Sequence, residues 1–206
     1  MTNEEIKINH SNSWPKLWQI YNKDNSAYKG LMLWISFALN LIIIIYSSLG
    51  KIDPYLLIEK YVGLFIEIIP SLLGFNLGAY ALLIGLASTS FLNKMTKGID
   101  KEYTFFQRAS SVFGFCIAIQ AVSLIISFVI REFIEIQNTK NFISPFTLCD
   151  GEAEKINYVI LFIANFFGIY SITLVLMIIK NIFGISQTAN FFNGLENLKD
   201  RKTKKP

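Results

Sequence analysis

The chain has 206 residues, 52% of them apolar and 17% charged, with a net charge of +4 and a mean hydropathy of +0.43. That length suits one compact domain, and the charge fraction lies below the roughly 25% usual in soluble domains. Two cysteines, Cys116 and Cys149, and a single histidine, His10, exclude a disulfide framework and argue against a metal centre.

Residues 1–29 read as a cytoplasmic tail. Glu4, Glu5, Lys7, Lys16, Lys23, Asp24 and Lys29 leave no apolar stretch for a cleavable signal peptide, so the first apolar run is expected to remain as a span. Within the tail, Trp14, Leu17, Trp18 and Tyr21 recur at i, i+3, i+4 and i+7, with Pro15 suited to a first helical turn. This pattern predicts an amphipathic helix lying on the cytoplasmic leaflet, where Trp and Tyr favour the headgroup layer. A partner-binding helix or an unstructured tail are the alternatives.

Four spans follow in a domain covering 30–180. Lys29 and Lys51 bracket 21 uncharged residues, Arg108 and Arg131 bracket 22, and Lys155 and Lys180 bracket 24. About 20 helical residues cross a hydrocarbon layer of about 30 Å, so each window fits one crossing, at about 30–49, 109–130 and 157–179. The remaining window, Lys60 to Lys94, holds 33 residues and one charge, Glu67. Pro70 divides it: a span is expected over 71–92, preceded by a shorter interfacial helix from Pro54 to Ile69 and joined at a kink. Glu67 then lies near the surface; the rival placement buries it in the membrane as a possible functional carboxylate. Runs such as LIIIIY and VILFIANFF do not alternate as barrel strands must, so the fold class is all-α and polytopic.

Charge sets the orientation. Fourteen Lys and Arg fall on the side holding both termini and the 93–108 loop, against five on the other. The positive-inside rule therefore puts both ends in the cytoplasm. The loop from Arg131 to Lys155 is long enough for a small cap or short helix. The tail 181–206 continues helix-compatible, with Phe191, Leu195 and Leu198 on one face. The closing KDRKTKKP reads as unstructured.

Two constellations stand out. Gly74, Gly78, Ala81, Gly85 and Ser88 are spaced 4, 3, 4 and 3 and form one stripe of small side chains, containing a GxxxG pair. Such stripes let helices approach closely in lipid, either between subunits as an oligomer interface or within one subunit. Asn40, Asn76, Gln120 and Asn165 place one amide in each span. Buried amides need partners, so they either bond to one another across helices or line a wet path. No nucleophile elbow, phosphate loop, HExxH, CxxC or dinucleotide fingerprint occurs, so no catalytic residue, cofactor or enzyme activity is expected. The expected partners are lipid, copies of the chain and a cytosolic protein, with no direct nucleic-acid binding.

The segment PSLLGFNLGAYALLIGLAS, in a small four-span chain rich in Phe, Ile and Asn with a basic tail, resembles the membrane subunits of Kiwa-type anti-phage defence systems. The resemblance implies a homo-oligomeric sensor or effector of the bacterial inner membrane working with a cytosolic partner. It carries no functional residue over. A channel and a scaffold anchoring a cytosolic enzyme are the other functional classes compatible with the residues.

Overall fold

A computed structural model describes residues 13–24, 30–85, 103–140 and 150–203. The elements are α1 (Trp14–Asp24), α2 (Leu31–Leu49), α3 (Pro54–Gly85), α4 (Phe105–Lys140) and α5 (Asp150–Thr203), and no strand occurs among the described residues. Four of them, α2 to α5, contain stretches long and apolar enough to cross a membrane.

Local chemistry sets the helix ends. At the end of α2, Lys51 N–H bonds Ser48 O (3.2 Å) and Ile52 N–H bonds Ser47 O (3.0 Å), a Schellman closure. The left-handed position this closure requires is held by Lys51 (φ 50°), where glycine is usual. Asp53 then caps α3: its Oδ1 accepts the Tyr55 N–H at 2.9 Å, with Pro54 in the first turn, where a missing N–H is harmless. Thr104 and Gln107 form a reciprocal capping box at α4, with Gln107 N–H on Thr104 Oγ1 (3.2 Å) and Thr104 N–H on Gln107 Oε1 (2.9 Å).

The expected division at Pro70 does not occur, because α3 runs through Pro70 as one helix of 32 residues, about 48 Å long. Proline removes one backbone donor, and Pro70 is on an exposed face of α3, where its ring meets no core packing. Helix α5 likewise continues to Thr203, so the basic run expected to be unstructured is helical as far as it is described. Leu195, Glu196, Leu198, Lys199, Arg201 and Lys202 are residue types that favour helix, which suits that extension. The loop after Arg131 is mostly taken up by α4 reaching Lys140 and α5 beginning at Asp150.

The chain divides into two compact units. The first comprises Gly30–Leu77 and Cys116–Val175. Its apolar core joins Ile58 and Val62 of α3, Ile134 of α4, and Leu161 and Ala164 of α5. Helix α2 is built inside out: its buried residues are Ser36, Asn40 and Ser47, while Trp34, Ile42, Ile45 and Leu49 are exposed. In water this arrangement inverts the usual hydrophobic drive; in lipid it is the stable one, because apolar side chains lose nothing by facing hydrocarbon.

The second unit gathers the described residues of Met1–Lys29, Gly78–Phe115 and Leu176–Pro206. Here α1 docks by its Tyr21 end: Tyr21 stacks on Phe115 with ring centroids 4.0 Å apart and its hydroxyl reaches Met177 Sδ at 3.6 Å. Trp18 tilts onto the same Phe115 ring (5.6 Å), and Trp14 points outward. The aromatic face read from the sequence is thus shared between protein contact and an exposed end. Lys16 and Lys23 both lie over the buried Tyr103 ring, at 5.1 and 5.4 Å.

Candidate functional site: a polar core and an open glycine face

All four amides are fully buried in the first unit. Two of them meet: Asn76 donates to Gln120 Oε1 at 2.7 Å, and Gln120 donates onward to Ser171 O at 3.2 Å. Asn40 donates instead to a backbone carbonyl, Phe162 O, at 3.0 Å. Asn165, one turn further along α5, bonds to none of the other amides. The Ser36 and Thr173 hydroxyls sit 2.8 Å apart.

This polar core is only partly satisfied. Asn40 Oδ1, Asn76 Oδ1, both amide atoms of Asn165, and the Ser123 and Ser127 hydroxyls are buried without a hydrogen-bond partner among the described residues. Gln120 faces Ser171, and α4 and α5 run antiparallel, so seven residues along α4 and six back along α5 bring Ser127 and Asn165 to a similar level. A buried amide left unpaired costs about 1–3 kcal/mol, so several in one core are an unusual concentration.

Glu67 does not join this cluster; it is exposed on α3, while Val62, Phe65 and Ile69 of the same helix turn inward. One turn before it, Gly63 lies beside the Arg131 guanidinium, which would be 3.9 Å from an added Cβ.

The small-residue stripe occupies the opposite face of α3 from buried Asn76 and Leu83. Gly74, Gly78, Ala81 and Gly85 are all exposed. A Cβ built on Gly74 or Gly78 meets nothing within 4 Å among the described residues. Ser88 lies outside the described residues. The glycines that the fold itself uses are elsewhere. A Cβ on Gly168 of α5 would overlap the buried Phe65 ring, and one on Gly114 of α4 would lie 2.7 Å from Leu17 Cδ1. For the first, the sequence signal is Ala164 and Gly168, a small-xxx-small pair on α5.

An inside-out α2, a polar core and exposed apolar flanks mark a chain whose described elements are all helices, four of them long and apolar enough to cross a membrane. No family model, curated protein or solved structure matches it.

Proposed function

We propose that the chain is a multi-pass protein of the bacterial inner membrane, both termini cytoplasmic, that self-associates through the Gly74–Gly78–Ala81 face of α3. It works there as a sensor or effector beside a cytosolic protein. The observation that carries this reading is the space left open by the described residues at Gly74 and Gly78, on the side of α3 away from its own core. A bare backbone strip facing lipid gains van der Waals contact only when a second helix covers it. The orientation rests on the fourteen-to-five division of Lys and Arg. The defence setting rests on the Kiwa-type resemblance.

The test is Gly78→Leu. Native mass spectrometry in nanodiscs is expected to show wild type as an oligomer and the variant as an inserted monomer. A variant that assembles as wild type does would remove the stripe from the interface. Topology is read separately, by reporter fusions at each terminus; opposite sides would sink the four-span reading.

A second reading, a path for water or small polar solutes, is favoured by the unpartnered Asn40, Asn76 and Asn165 atoms. Under it, wild-type protein in liposomes conducts and Asn165→Leu does not.

A further inference from the structure

A groove of about 570 Å³ opens on the first unit, where the start of α3, the second half of α4 and the start of α5 meet. Its walls are apolar, formed chiefly by Ile58, Val129, Phe133, Ile160 and Ile163. Three of these walls, Val129, Phe133 and Ile163, are 43–61% exposed, so the packing of the described residues leaves the groove open. Its volume falls within the range of small-molecule sites.

The polar groups of the lining gather at one end. Asp53 precedes the first turn of α3, five residues before Ile58, and Asn157 precedes Ile163 by six residues, about 9 Å along α5. Asp53 is the one charged side chain among the described lining residues. Its Oδ1 accepts the Tyr55 N–H, and a carboxylate has capacity for further donors. The cation carried by the adjoining stretch of α4, Arg131, is bound to Glu135 at 2.7 Å. The groove therefore combines an apolar trough with an anionic head position.

We infer that this groove holds an acyl chain of a membrane phospholipid whose primary-amine headgroup lies at Asp53, as phosphatidylethanolamine would. Charge complementarity selects the amine: an anionic headgroup such as phosphatidylglycerol would set like charge against the carboxylate. A bilayer offers the groove acyl chains at high local concentration, and Phe133 and Ile163 present the apolar walls one would contact. The inference rests on the membrane reading above.

The experiment uses the full chain in vesicles of equal phosphatidylethanolamine and phosphatidylglycerol, followed by native mass spectrometry of the lipids retained. Phosphatidylethanolamine is expected to be enriched about threefold over the bulk ratio, the size of one solvent-exposed ion pair. Asp53→Asn keeps the helix cap, since Asn caps as well as Asp, and should return the ratio to bulk while lipid is still retained. Ile160→Trp should fill the trough and lower retention of either lipid. Circular dichroism confirms that each variant folds, and Asp53→Asn carries the test if Ile160→Trp does not. Wild type at the bulk ratio, or undiminished enrichment in Asp53→Asn, overturns the inference. Vesicle flotation separates the two readings: a chain that fails to float overturns the membrane placement, whereas one that floats without lipid preference overturns this inference alone.

Discussion

Replacing Gly168 with alanine should destabilise the protein even though alanine is the better helix former. Gly168 lies within α5, where Gly→Ala in an open position gains about 0.5–1 kcal/mol. At this position the new methyl would overlap three atoms of the Phe65 ring. That ring is only 2% exposed and stacks on Tyr61 at 6.3 Å, so it has little room to swing aside. Overpacking of this kind costs about 1–3 kcal/mol, which outweighs the propensity gain and leaves a net loss of about 1–2 kcal/mol. Thermal unfolding in detergent, followed by the helical circular dichroism signal, measures it. Gly184→Ala on the same helix is the control: nothing lies within 4 Å of its added Cβ, so it should be neutral or stabilising. Phe65→Leu should cost less in the Gly168→Ala background than in wild type, giving a coupling of about 0.5–3 kcal/mol. If Gly168→Ala melts with Gly184→Ala, or the cycle shows no coupling, the helix approach at Gly168 is not what holds α3 to α5.

Gln120→Leu strips Asn76 Nδ2 of its acceptor and should cost about 1–3 kcal/mol, whereas Asn76→Leu combined with Gln120→Leu should recover much of it; chemical unfolding of the three variants decides between them. Lys51→Gly should raise stability by about 1 kcal/mol, because the Schellman position is left-handed and glycine occupies it without strain; an unchanged or lowered melting temperature would contradict that assignment.

The helices were legible because uncharged windows of 21, 22 and 24 residues admit few other readings, and α2 over Leu31–Leu49 falls almost where the charges predict. The burial of Asn40, Asn76, Gln120 and Asn165 was legible too, since each is the amide of an otherwise apolar span. Their pairing was not. Sequence spacing orders residues on one helix and does not say which helix lies opposite, so Asn76 with Gln120 and Asn40 with a carbonyl emerge only from the fold. Pro70 is a poor guide for a related reason: its lost hydrogen bond and ring clash, about 3 kcal/mol together, are outweighed in a long helix whose flanks are packed through Phe65, Ile69 and Asn76. Gly168 stayed hidden in NFFGIY because the bulky side chain it accommodates, Phe65, is more than a hundred residues away.

The inward side of α2 has a consequence for how the chain is made. Asn40 finds its acceptor on Phe162, 122 positions later, an interval of about 6–24 s at ordinary rates of synthesis. Until α5 emerges, α2 shows its neighbours an amide whose acceptor is not yet made. A ribosome stalled after α4 would release a product in which the Asn40 amide N–H has no Phe162 carbonyl to meet.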